Sequence, residues 1–294
     1  MLFIFKRKKK ISSSFSRLVA GYPKNEAEGA FGGLCKGKII IGHGKHIFEY
    51  QEKENKWNRI EHESYSPNDR FDAQSTVIDD KILLCGDWTR TYVELLIFET
   101  LASSISCLPS EKRNVTICRQ KFCPTSLPID VRYHTLTKIG DDSVLLIGGV
   151  LNNIITNRVF LGTLINRRRS YKDVIWEELM GMSYSRFRHI AFKMKNQVYV
   201  FGGMLQLHSN LTTCERYDLS EKRWYNCQYT LPYALSYASV VVDDDETVAI
   251  IIGGKKENCA SDNVILFTEK DGFNTCNKFK LKSERFHHIS IKIH

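Results

Sequence analysis

Apolar residues along this chain fall in short runs closed by small residues, and helical spacing is nearly absent. The runs are Lys38 to Gly42 followed by His43, Lys81 to Gly86 followed by Asp87, Val144 to Gly149, Val198 to Gly203, and Val248 to Gly254. Runs of this length bounded by turn residues predict buried strands. Their first glycines stand at 42, 86, 148, 202 and 253, at intervals between 44 and 62 residues, so one unit of structure recurs.

Each unit carries further strands at similar offsets. Arg70-Phe71, Arg132-Tyr133 and Arg186-Phe187 precede Gly86, Gly148 and Gly202 by 16 residues each, and this constant offset predicts a constant local geometry. The fourth equivalent, Leu235 to Ser239, is displaced by the acidic insertion Asp243 to Glu246. After each glycine run comes a second apolar strand: His46 to Tyr50, Val93 to Phe98, Asn157 to Leu161, Cys214 to Tyr217 and Val264 to Phe267. A large aromatic follows, Trp57, Trp176, Trp224 and by position Phe273, while in the second unit Cys107 stands near that place. Glycine pairs relieve crowding where neighbouring sheets approach and permit backbone angles closed to other residues. The aromatic supplies a large face for burial between units.

An Arg-aromatic start, a diglycine, a third-strand Tyr or Phe and a fourth-strand Trp resemble the kelch repeat. The likeness is fullest over Arg186 to Trp224, with Gly202, Gly203, Tyr217 and Trp224 all present, and it extends over roughly residues 28 to 290. The signature positions are Gly86, Gly148, Gly149, Gly202, Gly203, Gly253, Gly254, Trp57, Trp176 and Trp224; the first unit has Gly42-His43-Gly44 and the second Gly86-Asp87 in place of the glycine pair. The resemblance implies an all-β, kelch-type β-propeller in a single domain over 1–294. Its repeats are expected near 28–65, 66–109, 129–181, 182–232 and 233–282, with 110–128 as an insertion loop. Kelch propellers most often have six blades, and the chain ends look like the sixth. Residues 283–294 open a further repeat at Arg285-Phe286-His287-His288, and residues 1–20 hold two strand-like runs, Leu2 to Lys6 and Phe15 to Val19. Joining them would leave the ring without free edges. No sixth diglycine is present, which leaves either a three-stranded last blade or a chain that is part of a longer protein.

Charge and composition narrow the function. The formal net charge is +9, but Lys6, Arg7, Lys8, Lys9 and Lys10 supply five of those nine charges in one run, so the body gives little reason to expect nucleic acid. Hydrophobic residues make up 43% of the chain, enough for a large core. The nine cysteines form no C-x-x-C pair, which favours reduced thiols in the cytoplasm or nucleus over a disulfide framework. No run is long enough to span a membrane, and the sequons at Asn114 and Asn210 read as chance matches.

Catalytic and cofactor signatures are lacking. There is no phosphate-binding loop, nucleophile elbow, H-E-x-x-H or paired-carboxylate constellation. His43 and His46 lie in a turn with no third ligand at metal spacing. No copper-ligand set or iron-binding carboxylate pattern known from other kelch propellers occurs, so neither enzyme activity, a metal nor a cofactor is expected. In kelch-like adaptors, arginines at one mouth of the central channel receive acidic peptides. The positional match here is Arg188, with Asp72, His134 and His287 at corresponding places. The resemblance therefore implies a binding scaffold for a protein or peptide partner, an acidic one at Arg188, with ubiquitin-ligase or cytoskeletal partners as examples. The alternative is the accessory propeller of a larger enzyme, such as a tRNA wybutosine-synthesising methyltransferase-like protein, which Val174 to Glu178 weakly resembles.

Overall fold

In the computed structural model the described residues are 3–6, 30–44, 46–62, 73–86, 93–102, 114–123, 126–167, 171–207, 209–257 and 259–293, and among them there is no helix. Five antiparallel sheets follow one another along the chain, each built from four consecutive main strands. Blade I comprises Phe31–Cys35, Lys38–His43, His46–Gln51 and Lys56–Arg59. Blade II comprises Gln74–Ile78, Lys81–Cys85, Val93–Ala102 and Asn114–Phe122, with Glu61–His62 added in parallel at its outer edge. Blade III comprises Thr135–Lys138, Ser143–Ile147, Val159–Arg167 and Tyr171–Leu179. Blade IV comprises Ile190–Met194, Gln197–Phe201, Cys214–Asp218 and Arg223–Asn226. Blade V comprises Ser239–Val242, Ala249–Ile252, Cys259–Thr268 and Gly272–Arg285.

The first strands of these blades stand side by side in chain order. Ser290–Ile293 packs between the first strand of blade V and that of blade I, closing the circle. This strand pairs in parallel with Phe3–Lys6, Phe3 opposite Ser290 and Lys6 opposite Ile293, unlike the antiparallel pairing of consecutive strands within the five blades. The expected strand at Phe15 to Val19 lies outside the described residues.

Because side chains alternate across a strand, every blade offers an apolar surface to both neighbours. On the second strand of blade II, Ile82 and Leu84 join Phe31 and Ile40 of blade I, whereas Leu83 joins Val144 and Leu146 of blade III. On blade III, Leu145 and Ile147 turn the other way and meet Val198 and Val200 of blade IV. Phe192, Tyr199 and Phe201 then pack on Ile251, Ile265 and Phe267 of blade V, and Ile39 and Ile41 of blade I pack on Ile291. The core is thus distributed between blades, each buried aliphatic or aromatic side chain stabilising the ring by roughly 1.5–3 kcal/mol.

One cross-strand place recurs in all five sheets. Tyr50 faces Trp57, Leu96 faces Gln120, Gly162 faces Trp176, Tyr217 faces Trp224 and Phe267 faces Phe273. Two expectations are corrected here. Part of the stretch expected as an insertion loop, 110–128, holds the outer strand of blade II at Asn114–Phe122, and the residue in the aromatic's place is Gln120, opposite Leu96, rather than Cys107. The strand escaped recognition because Gln120 gives no aromatic signal and the connection leading to the strand is long. The cysteine pattern favours reduced thiols over a disulfide framework, and the structure departs from this at one pair, Cys214 and Cys227, which form a disulfide, while Cys35, Cys85, Cys123, Cys259 and Cys276 are free thiols. The hairpin sets them opposite one another, with the Cys227 amide donating to the Cys214 carbonyl at 3.0 Å and their Cα atoms 5.3 Å apart.

The glycine pairs sit where one blade touches the next. Gly202 and Gly203 have φ of 58° and 81°, a region L side chains rarely occupy, and the Gly203 amide donates to the carbonyl of Leu235 in blade V's segment at 2.9 Å. A Cβ at Gly202 would lie 2.3 Å from that same Leu235 oxygen.

Candidate functional site

The innermost strands enclose a channel, a cavity of about 720 Å³ lined by all five blades and by Ser290 and Ile291. Its mouth is built by the residues that enter each first strand. Tyr133, Arg188, Tyr237 and His287 occupy equivalent places with φ of 56°, 54°, 57° and 54°. Their backbones are linked in series: the Arg188 amide donates to Tyr133 at 2.9 Å, the Tyr237 amide to Arg188 at 3.0 Å, and the His287 amide to Tyr237 at 2.9 Å. Four positive φ values outside glycine are individually costly. They persist because each one completes a hydrogen bond around the ring.

This geometry stacks the side chains as well. The Arg188 guanidinium lies 4.1 Å from the ring centroid of Tyr133 and 4.1 Å from that of Tyr237, cation–π contacts on either side. Its Nε is buried and meets no hydrogen-bond acceptor among the described residues. Tyr237 in turn contacts His287 at 5.4 Å, and the Lys255 ammonium lies 4.0 Å from the Phe286 ring. Lys138 and Arg188 are among the residues lining the channel, whereas no Asp or Glu is among the described lining residues.

A buried ion pair fixes the approach to Arg188. Arg186 and Glu215 are both fully buried, Nη2 to Oε1 at 2.7 Å. Arg186 also donates to the carbonyls of Gly202 at 2.9 Å and Thr213 at 3.2 Å, while Glu215 accepts from the backbone amide of Ser183 at 2.6 Å. Burial lowers the guanidinium pKa of Arg186 and the Glu215 charge works against that shift. Apart from Arg186 Nε, which meets no hydrogen-bond partner among the described residues, the pair is held by internal hydrogen bonds and positions the chain that leads to Arg188.

Of the residues expected at the mouth, Arg188 and His287 are there, and Asp72 lies outside the described residues. His134 is displaced by one position. It is buried, and desolvation pushes its pKa down to about 3. Its place at the mouth is taken by Tyr133, because the turn from Lys138 to Val144 is one residue longer than the turn from Lys193 to Val198. The constant 16-residue offset therefore aligned Arg132 with Arg186, whereas the sheet register aligns Val131 with Arg186. A histidine column, His134, His189 and His288, carried the correct register. These histidines serve the joints between blades: His189 Nε2 lies 2.9 Å from Thr135 Oγ1 and His288 Nε2 lies 2.7 Å from Ser239 Oγ, each bond crossing to the preceding blade. Tyr133, Tyr237 and Lys255 were not singled out from the sequence, since stacking on Arg188 depends on blade order and not on any local motif. No three His, Cys, Asp or Glu side chains gather as metal ligands among the described residues.

Comparison with known proteins bears on this geometry directly. The sequence profile of the Kelch motif matches residues 192–229, which span the diglycine, Tyr217 and Trp224 of blade IV. The chain folds as a kelch-type β-propeller. Among solved structures, one titled "Structure of YjhT" superposes on this propeller with a TM-score of 0.67 over 93% of this chain and 89% of that one, at 11% sequence identity. A search of curated protein sequences gives no significant match. No helix among the described residues of the propeller is long and apolar enough to cross a membrane.

Proposed function

We propose that this propeller is a protein-binding scaffold whose channel mouth receives an acidic segment of a partner, with no chemistry of its own. The observation that carries this reading is the state of Arg188. Its guanidinium faces are covered by Tyr133 and Tyr237, so ligands reach it along the edge, where the donors lie in one plane. A planar carboxylate accepts two parallel hydrogen bonds from such an edge. Tyrosine stacking holds the side chain in place before binding, which reduces the entropy lost on complex formation. The absence of carboxylates from the described lining residues favours an anion over a cation at the same place.

Screening the recombinant propeller against immobilised peptides that differ only in Asp and Glu versus Asn and Gln tests this. The acidic peptides are retained selectively, and Arg188→Ala weakens them by roughly 10- to 100-fold, the value of a charge-assisted hydrogen-bonded pair. Equal retention of acidic and amide peptides, or an unchanged profile for Arg188→Ala, would falsify the reading.

A further inference from the structure

On the mouth face, three hairpins rise beside the residues that form the ring. Phe187, the neighbour of Arg188, exchanges both backbone hydrogen bonds with Met204, at 3.2 and 2.9 Å, which pins the hairpin of Met204–Gln206 and Ser209–Asn210 to the segment that carries Arg188. Arg132 pairs with Val150 in the same way on blade III, and Ser236 with Lys255 on blade V. The three hairpins are equivalent in position and different in chemistry. Leu205 and Leu207 on blade IV are 40% and 73% exposed, and Ile154 on blade III is 70% exposed, whereas blade V presents Lys255 and Lys256. The hairpins of blades III and IV adjoin, since Val150 and Ile155 of one pack with Phe187 and Met204 of the other, and large apolar side chains this exposed on adjoining hairpins mark an interaction surface more often than scattered surface residues do.

We infer that the hairpin residues Leu205, Leu207 and Ile154 form an apolar subsite next to Arg188, which takes leucine-like side chains flanking the carboxylate of one extended partner segment. The inference rests on the acidic-segment reading above and adds the second half of the recognition code. Charge complementarity selects this occupant. The apolar side adjoins a cationic centre at Arg188 and a cationic edge at Lys255 and Lys256, so the segment that covers all three carries negative charge and aliphatic bulk together. Apolar contact supplies affinity while the carboxylate fixes register.

The test compares two capped peptides by calorimetry, an acidic core flanked by glycines and the same core flanked by leucines, on wild type, Arg188→Ala and the double variant Leu205→Ser/Leu207→Ser. Both hairpin residues are surface-exposed, and thermal melting confirms that the double variant is folded. The leucine-flanked peptide binds wild type roughly tenfold or more tightly than the glycine-flanked one. The double variant loses that gain and keeps its affinity for the glycine-flanked peptide. If the double variant keeps the gain, the apolar subsite is wrong and the Arg188 reading stands. If Arg188→Ala leaves both affinities unchanged, the underlying reading is wrong. Pelleting of wild type with phosphatidylserine vesicles that is lost in the double variant would assign the apolar tips to a lipid surface and overturn the proposal. A wild-type dimer that becomes monomeric in the double variant would assign them to a second copy of the chain, with the same consequence.

Discussion

Gly162 stands directly opposite Trp176 on the outer two strands of blade III, at the cross-strand place where blade IV sets Tyr217 against Trp224. In blade IV two rings share the space at 5.1 Å between centroids. In blade III the indole occupies it alone, and a Cβ on Gly162 would fall 2.6 Å from Trp176 Cζ3. Gly162→Ala therefore lowers stability by about 1–3 kcal/mol, the usual penalty of overpacking. Urea unfolding measures this, with Gly140→Ala as control, since a Cβ there meets nothing closer than 3.5 Å. Equal midpoints for the two variants would show that the indole gives way freely.

How much of this was legible in the sequence follows from what each signal depends on. The glycine-ended runs and the Tyr217–Trp224 pair depend on local strand packing, and they disclosed the propeller. The strand at Ser290–Ile293 was legible too, because Arg285 to His288 repeats the start of a blade, whereas its parallel pairing with Phe3–Lys6 departs from the repeat. Blade II's outer strand was not, since Gln120 gives no aromatic signal and only pairing with Leu96 reveals it. The mouth was half legible. Arg188 was found by its place in the repeat, but one extra residue in a blade III turn shifted His134 into the position that Tyr133 holds. Register of that kind is settled by hydrogen bonds between strands distant in sequence, which no local offset records.

The Arg186–Glu215 pair yields a prediction about stability. Removing one partner strands the other charge in a fully buried place, so Arg186→Met and Glu215→Gln each destabilise by about 3–5 kcal/mol. The double variant Arg186→Met/Glu215→Gln costs less than the sum of the two single changes, because no charge is left unpaired. Chemical denaturation of the three variants and wild type completes the cycle; strict additivity would mean that the two side chains do not act as a unit.

Closure of the blade IV hairpin by Cys214 and Cys227 restricts the unfolded chain over a sequence separation of 13. A loop of that size is worth roughly 3 kcal/mol in the chain-entropy account. Added dithiothreitol should lower the melting temperature of wild type and leave Cys214→Ala/Cys227→Ala unmoved. A wild-type melt insensitive to reductant, with both thiols alkylatable in the native protein, would show that the pair is not bonded in solution.

Acid should weaken the ring through its buried histidines. His134 is lowered from 6.5 to about 3 by burial, and His189 is lowered well below 6.5 by burial, with the Arg186 charge adding to the shift. Both are neutral in the folded protein, whereas in the unfolded chain they take up a proton once pH falls below 6.5. Unfolding therefore binds protons in the window from 6.5 down to about 3, and stability falls with pH there, by about 1.4 kcal/mol per unit for each histidine once pH is well below 6.5. The signs are those of a depressed base: full stability above 6.5, progressive loss below. Replacing His134 by Phe, which cannot be protonated, removes one of the two contributions, so its urea midpoint should fall less between pH 7.5 and pH 5 than that of wild type. Parallel pH dependences for the two proteins would mean that His134 is already charged, and hence hydrated, in the folded ring.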